Sequence, residues 1–493
     1  MDNSNSEKTI KGISSQTVVT VAMGLLELIS FSIMSRLLTK SEFGYYAVIM
    51  SITMIFRSLA EAGIGASVIQ RKNADHVFID TAYSLSIIFG VIATSIVIIC
   101  SGWLSSFISD STIHIPLILI SLTILPYSLN SVYKGLFMKD LHFMKLGILQ
   151  AVAFTIAQIL AIILAYFKYG LYAIVIGNIL NILLQNAILR INSIYKPKFF
   201  ISKEKIKDII SFGGWLTLSR LTGTIYSQID KLLMSKWFSV VELGNFYRTR
   251  ALIDTADSQV GGIFDVALFP ILSNIQDNKE AIQHAYKKCM YMGCVIFSFL
   301  FVFFFFNAKL IILCFLGEKW LDQLILFRLL SISMAFFAFS RLADCFIRSL
   351  AYVKIGFFIK LFSCFILIPC IYFLRIHGAI GVAIAVISVN FSISMIKTIF
   401  ICYKTRIRFM DIAMNAVRGS FCSFPLIIMG LLFMLFFDHS ILNSIVFFLI
   451  YGIAALLIFV LYPDLVGVTY KIQVYPIIKD IVFSHIHFLR KKR

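Results

Sequence analysis

Residues 81–104 read TAYSLSIIFGVIATSIVIICSGWL, twenty-four residues without an acidic or basic side chain. As a helix this stretch is about 36 Å long, enough to cross roughly 30 Å of hydrocarbon. Apolar runs of the same kind recur along nearly the whole chain. No period-two alternation separated by turns is present, which excludes an outer-membrane barrel. Composition agrees: of 493 residues, 59% are hydrophobic and 14% charged, with a mean hydropathy of +0.91. A soluble domain carries about 25% charged residues, so this chain lacks the polar surface to coat a water-facing globule. The fold class is an all-α polytopic membrane protein.

Fourteen spans are expected, at about 15–38, 45–69, 81–104, 113–137, 146–167, 169–190, 208–236, 244–275, 286–308, 320–348, 355–374, 377–403, 417–437 and 441–462. Two of these, 208–236 and 244–275, are long and polar, the pattern of a span that tilts, breaks or extends beyond the bilayer. The N-terminus, MDNSNSEKTIKGISSQ, has no short apolar core followed by a small-residue cleavage site, so the first span is expected to stay in the mature protein. Nine cysteines are scattered, mostly in apolar segments, with no CxxC pair. They suggest neither a disulfide framework nor a metal site, and read as small hydrophobes.

The net charge of +19 is explained by where the basic residues lie. An even span count puts both termini on one side. That side also carries Arg71–Lys72, the KGLFMKDLHFMK stretch beginning at Lys134, RINSIYKPKFFISKEKIK, YKTRIRFMDIAMNAVR and the terminal RKKR. It holds roughly 29 basic residues against roughly 7 opposite, a strong positive-inside asymmetry. Both termini are therefore expected in the cytoplasm, with the basic turns drawn to anionic membrane lipids. No basic folded domain exists to bind nucleic acid. The opposite loops (TKSEFG, KYG, FSVVELG, RIHG, FDHS) are short and leave no room for an outer domain. The tail KIQVYPIIKDIVFSHIHFLRKKR reads as a surface-lying amphipathic segment. His485 and His487 in it are poorly spaced for one metal on one helix face.

The chain also repeats itself. Ser35-Arg-Leu-Leu-Thr-Lys-Ser-Glu-Phe-Gly44 aligns with Ser235-Lys-Trp-Phe-Ser-Val-Val-Glu-Leu-Gly244. The alternating turn Phe137, Lys139, Leu141, Phe143, Lys145, Gly147 aligns with Phe346, Arg348, Leu350, Tyr352, Lys354, Gly356. Gly170 and Gly378 open the sixth span of each unit. Three matches in one order imply two six-helix lobes related by a parallel repeat about the membrane normal, with two helices appended. The expected organisation is a first lobe at 1–200, a second at 201–405, two further helices at 406–465 and a basic tail at 466–493.

The same residues resemble a family. SRLLTKSEFGYYAV, the Glu61-Ala-Gly-Ile-Gly65 turn and Ile69-Gln-Arg-Lys72 look like the opening of polysaccharide-transporter flippases. Ile229-Asp-Lys-Leu-Leu233, Glu242-Leu-Gly-Asn-Phe-Tyr247, Phe269-Pro-Ile-Leu-Ser-Asn-Ile-Gln276, Leu316-Gly-Glu-Lys-Trp320 and Gly378-Ala-Ile-Gly-Val-Ala383 continue the likeness. The resemblance implies the O-antigen and capsule flippases of the multidrug/oligosaccharidyl-lipid/polysaccharide exporter superfamily. It implies a substrate of undecaprenyl-pyrophosphate-linked oligosaccharide, moved outward across the bacterial inner membrane by alternating access. A polysaccharide polymerase and a chain-length regulator are the protein partners so implied. Tyr247-Arg-Thr-Arg250 is more basic than the family pattern.

An ionisable side chain deep in a span is costly and marks a functional candidate. Glu27, Arg57 and Arg220 each lie about 18 Å along their helix from a membrane face. Glu61 follows Arg57 by one turn, and Arg250, Asp254 and Asp257 share a face of the eighth span near Arg248. Guanidinium matches a pyrophosphate bidentately without losing its proton, so Arg57, Arg220, Arg248 and Arg250 are expected to bind substrate. Glu27, Glu61, Asp254 and Asp257 are expected to release the arginines or to carry a coupling proton. The plainer reading makes Arg57–Glu61 and Arg250–Asp254 closed ion pairs that hold helices together. Arg220 has no acidic residue one turn away on its own helix. Near span ends, Arg248, Arg250, Asp230–Lys231, Arg341–Asp344 and Lys397 would snorkel to water. Gly63-Ile-Gly65 lacks the strand–helix context of a nucleotide loop and reads as helix packing.

No nucleophile–His–acid set, ATP-binding loop, cofactor motif or metal cluster is visible, so the chain does not read as an enzyme. A membrane-embedded polymerase or glycosyltransferase would need a large outer loop. An ion-coupled exporter of small amphipathic compounds shares the same fold, but arginines inside the bundle favour a large anionic substrate.

Overall fold

The computed structural model describes residues 22–71, 75–107, 111–276, 278–350, 352–436 and 441–461. The polar N-terminus and the basic tail with His485 and His487 lie outside the described residues. Everything described is helix, turn or short connection. In chain order the helices are α1 (22–37), α2 (Lys40–Glu61), α3 (Ile64–Gln70), α4 (His76–Phe107), α5 (His114–Ser121), α6 (Ile124–Lys139), α7 (Phe143–Tyr166), α8 (Leu171–Asn192), α9 (Lys203–Trp237) and α10 (Val240–Asn274). They continue as α11 (Lys279–Phe306), α12 (Ala308–Phe315), α13 (Leu324–Ser331), α14 (Met334–Ser349), α15 (Val353–Leu374), α16 (Gly378–Thr405), α17 (Phe409–Phe421), α18 (Phe424–Phe436) and α19 (Ile441–Leu461).

The helices group by packing into two compact units. One runs through α10 as far as Ala267 and adds Phe315–Gly317 and Ala351–Val389. The other holds Leu268–Cys314, Glu318–Leu350 and the chain from Asn390 on.

Among the described residues, seven helical stretches are long and apolar enough to cross a membrane, or up to nine if each strongly bent pair is one span. Fourteen are expected from the sequence. Helices α9 and α10 reach thirty-five residues each but are too polar to qualify, with Ser, Thr, Gly, Gln and charged residues interspersed among the apolar ones. Residues Val353–Thr405 count as a single stretch although a short 3-10 turn at Arg375–His377 separates α15 from α16.

Local chemistry explains the helix starts. Thr39 caps α2 and Glu42 reaches back, with Glu42 N–H donating to Thr39 Oγ1 at 3.3 Å and Thr39 N–H to Glu42 Oε2 at 2.7 Å. Two orphan donors are satisfied reciprocally. The start of α10 repeats the arrangement through Ser239 and Glu242, at 3.2 and 3.4 Å. The αL conformations of Ala62 (φ 45°) and Gly63 (φ 66°) end α2 and re-aim the chain into α3. There a side chain on Gly65 would come 2.7 Å from the Ser131 carbonyl of α6, so the glycine pair serves close helix packing.

Between α7 and α8 the contact is equally tight. Ala153, Ala157, Ala161 and Ala165 are buried at a four-residue spacing, and a Cβ on Gly177 would lie 2.6 Å from that of Ala161. Small residues let helices approach where lipid supplies no hydrophobic drive. The large apolar side chains of α4 and α7 point outward instead, with Ile99, Trp103, Ile159 and Tyr166 all exposed, as lipid-facing surfaces are.

Two helix breaks carry hydroxyl bonds back to the main chain, and at the first of them Pro126 also removes the N–H that would meet the Leu122 carbonyl. Ser121 and Thr123 turn their hydroxyls onto the carbonyls of Ile118 and Ile120 at the α5–α6 junction. Ser331 and Ser333 do the same to Arg328 and Leu330 between α13 and α14, where the axis bends by 46°. Such back-bonding competes with the helical ladder and bends it.

Candidate functional site

Three helices of the first unit, α2, α6 and α9, bring ionisable groups together, and α8 adds a neutral partner. Arg57 lies in the last two turns of α2 and is 6% exposed. Its guanidinium does not meet Glu61. It donates from one nitrogen to Thr123 Oγ1 at 2.5 Å and to Asn178 Oδ1 at 2.8 Å, and it lies 5.1 Å over the Tyr127 ring. Asn178 in turn donates to the Tyr46 hydroxyl at 3.3 Å. Arg57 Nε is buried without a hydrogen-bond partner among the described residues. Neutral groups and an aromatic face hold this cation, and the expected Arg57–Glu61 ion pair is not formed.

Glu61 instead receives Arg220 from α9, Nη1 to Oε1 at 3.1 Å. The carboxylate is 24% and the guanidinium 49% exposed, so the pair opens to solvent-accessible space. Tyr127 of α6 sits where the charges of Glu61, Arg57 and Arg220 all reach it. Lys134, two turns further along α6, is half-buried with Glu61 as the charge acting on it. Arg220 is thus paired with Glu61, Lys134 lies within electrostatic reach of the same carboxylate, and Arg57 stands apart from it on Thr123 and Asn178.

A second cluster lies on α9 and α10. Asp230 is 1% exposed and takes Arg250 as its ion-pair partner. Arg250 also meets Asp254 through Nε at 3.4 Å, so the expected pair exists as part of a triad. Lys231, 8% exposed, donates to Ser227 O at 3.1 Å and to Gln228 Oε1 at 3.0 Å. Ser51 of α2 donates to the same Gln228 oxygen at 3.1 Å. Asp257 is half-buried further along α10.

Arg248 makes a third arrangement. It donates to Ser35 Oγ at 2.8 Å and to the Phe31 carbonyl at 2.6 Å, with its guanidinium 3.3 and 4.3 Å from the ring centroids of Phe31 and Phe43. It ties α10 to α1. Glu27 is exposed on α1, one turn beyond Gly24, where Gln259 of α10 packs against the backbone.

Snorkelling fails for the groups near span ends. Asp230, Lys231 and Arg248 are buried. So is Lys397, which in the second unit meets Asp344 at 2.8 Å. Lys231 bonds within α9 to Ser227 and Gln228, while the partners of Asp230, Arg248 and Lys397 come from neighbouring helices, which a single-helix reading does not reveal. Lys134 was hidden differently, because it opens a basic stretch whose other lysines lie at the turn. Among the described residues, no group of three His, Cys, Asp or Glu side chains is placed to hold a metal ion.

Comparison with known proteins places this geometry. The model of a family described as polysaccharide biosynthesis protein matches residues 33–325. The lipopolysaccharide biosynthesis protein WzxC of Escherichia coli (strain K12) is 23% identical over 402 residues, covering 81% of this chain and 81% of that protein. Among solved structures, the lipid II flippase MurJ in an inward closed conformation superposes with a TM-score of 0.70 at 15% identity, over 92% of this chain and 99% of that one. An inward-facing multidrug resistance MATE family transporter of the MOP superfamily follows with 0.63 at 14%, over 81% and 98%. At these identities the two structures speak for the fold alone.

Proposed function

The chain belongs to the polysaccharide biosynthesis protein family, and from that premise we propose that it is a flippase for lipid-linked oligosaccharides rather than an enzyme. The substrate is a polyprenyl-pyrophosphate-linked repeat unit of O-antigen, capsule or exopolysaccharide. It moves from the cytoplasmic to the periplasmic leaflet of the inner membrane by alternating access. Both termini face the cytoplasm, where the basic turns lie.

One observation carries this reading: α2, α6 and α9 gather Arg57, Lys134 and Arg220 in the region of Tyr127, where Glu61, paired with Arg220, is the carboxylate found among the described residues. Three positive charges less one negative leave two uncompensated. Charges withdrawn from water are costly unless matched, and a doubly ionised pyrophosphate supplies the match. Arginine adds bidentate geometry toward phosphate oxygens. The MATE-like fold also suits an exporter of small amphipathic compounds, but a net positive site repels the cationic members of that class.

Deletion of the gene in its own host is the test. Lipid-linked repeat units should accumulate inside the cell and surface polymer should disappear. The wild-type gene should restore both, and Arg220→Ala should not, at equal membrane abundance. Normal polymer together with a raised sensitivity to cationic drugs would favour the exporter. A polymerase and a chain-length regulator are the expected partners downstream.

A further inference from the structure

The Glu61–Arg220 pair differs from the other ion pairs inside the helices. Asp230 and Arg250 are 1% and 16% exposed, and Lys397 and Asp344 are 5% and 33%. Asp254, which also meets Arg250, is 52% exposed, but Arg250 itself is held by the buried Asp230, whereas in the Glu61–Arg220 pair both members reach open space, at 24% and 49%. Arg220 spends one N–H on Glu61, and its other donors meet no acceptor among the described residues. Lys134 has Glu61 as the charge acting on it and no hydrogen-bond partner among the described residues. A guanidinium with five donors is paired with one singly charged carboxylate, and an ammonium with three lies within electrostatic reach of it without an ion pair. Two cations able to grip a dianion thus face a monoanion of the protein that satisfies only part of their donors.

We propose that Glu61 is a resident stand-in for the substrate's phosphate, lying between Arg220 and Lys134 in the empty protein and displaced when an isoprenyl pyrophosphate enters. This rests on the flippase reading and names the residue that the substrate must outcompete. The physical ground is charge and donor number. A pyrophosphate brings more negative charge than a carboxylate and more acceptor oxygens, so it satisfies the donors Glu61 leaves idle. Displaced, Glu61 no longer holds α2 to α9 by an ion pair, so substrate entry loosens a contact between helices. Arg57, fixed by Thr123 and Asn178, keeps its place throughout.

The test uses the detergent-purified full chain with farnesyl pyrophosphate as probe and farnesol as the uncharged control. Glu61→Gln keeps the side-chain shape and removes the competing charge, so it should bind farnesyl pyrophosphate about fivefold more tightly than wild type, the order of one half-exposed ion pair. Arg220→Gln and Lys134→Gln should weaken binding, and Glu61→Gln with Arg220→Gln should lose the gain. Farnesol affinity should not change. Should Glu61→Gln not insert stably, Glu61→Asp draws the carboxylate back from Arg220 and should tighten binding in the same direction. Equal or weaker binding by a folded Glu61 variant, with wild type still binding the probe, overturns the stand-in and leaves the flippase reading intact. If no variant binds farnesyl pyrophosphate above farnesol, the flippase reading falls and the stand-in with it.

Discussion

Arg57 and Glu61 stand one helical turn apart, a spacing that brings side chains together on a helix surface. Yet Arg57 donates to Thr123 and Asn178 while Glu61 takes Arg220, 159 residues away in sequence. Two consequences follow for mutants. Arg57→Ala removes charged hydrogen bonds and leaves their acceptors unpaired, a cost of about 2–3 kcal/mol. Because Glu61 is not the partner, adding Glu61→Gln should not restore the loss, and the two effects should add to within about 0.5 kcal/mol. Thermal unfolding of the single and double variants in detergent measures this. A double variant as stable as wild type would show that the i,i+4 pair forms after all. At this scale the sequence revealed which residues are costly, because an intramembrane charge is conspicuous in any apolar run. It did not reveal their partners, since Arg220–Glu61 and Asp230–Arg250 join different helices and leave no trace in local spacing.

The two half-repeats meet as elements at the capped starts of α2 and α10. A Cβ on Gly44 would lie 2.0 Å from the Val240 carbonyl oxygen, and one on Gly244 would lie 1.8 Å from that of Lys40. The contact is reciprocal, each glycine facing the residue four before the other. The pairing extends further, for Gly170 (φ 56°) lies against Glu42, with a Cβ there only 2.3 Å from Oε1. Gly378 (φ 66°) lies against Glu242 at 3.8 Å. Repeated motifs found in the sequence thus come together as repeated contacts. Helix backbones this close admit no side chain, so Gly44→Ala or Gly244→Ala should force the two helix ends apart. A disulfide between Lys40→Cys and Val240→Cys should form readily with the glycines present and poorly with either alanine. Undiminished cross-linking would show that the helix starts separate without them.

The connection from α8 to α9 is fastened to α4. Asp80 accepts from the Tyr195 hydroxyl and from the Lys198 N–H, both at 2.8 Å. Ser84 and Phe200 exchange bonds at 2.8 and 3.0 Å, and His76 stacks on Tyr195 at 4.4 Å. Burial pushes the Tyr195 hydroxyl up to about 12, with its bond to Asp80 adding to the rise. Asp75, at the start of α4, is pushed up by burial but held below the ordinary carboxylate range by the Phe78 N–H and the Lys205 ammonium. The signs set the window. A raised tyrosine stabilises fully below about pH 10 and loses its contribution as pH climbs toward 12. A depressed aspartate stabilises above about pH 4 and loses its contribution as pH falls below that. Trypsin cleavage after Lys198, the site not followed by proline, should therefore reflect a fastened connection across pH 5–9. Tyr195→Phe should speed it roughly tenfold at neutral pH. Cleavage of wild type that rises between pH 7 and 9 would contradict this. Nothing in the sequence marked these bonds, and the helix break at Ser331-Ile-Ser333 was equally hidden, because serine and threonine bend helices only when their hydroxyls choose the backbone; Pro126, four residues after Leu122, is the legible sign of the break at Ser121-Leu-Thr123.

For the molecule as a whole, the legible features were those that accumulate over many residues. Long apolar runs gave an all-helical membrane protein, and the helices α9 and α10, expected to be long and polar, span thirty-five residues each. The proposed orientation rests on summed basic residues. Residues 193–207, the connection and the first turn of α9, contain Lys196, Lys198, Lys203, Lys205 and Lys207, whereas the junction of α9 and α10 offers Glu242 and, beside Lys236, little positive charge. Moving lysine-rich loops across a bilayer against the positive-inside bias is disfavoured, and thirty-five helical residues span about 52 Å, ample to carry α9 from one face to the other. A reporter fused after Lys207 should therefore be cytoplasmic and one near Glu242 periplasmic. Alkaline phosphatase active only outside and a fluorescent protein bright only inside read the two sites independently. The assignment has reach beyond orientation. It puts the glycine contact of α2 and α10 at the outer surface and the fastened α8–α9 connection at the inner one, with Arg57, Lys134 and Arg220 between them. A periplasmic Lys207 fusion would reverse both ends at once and would place the basic turns where no anionic leaflet attracts them. A cytoplasmic Glu242 fusion would mean that α9 does not cross, and the parallel repeat would lose the even helix count it requires.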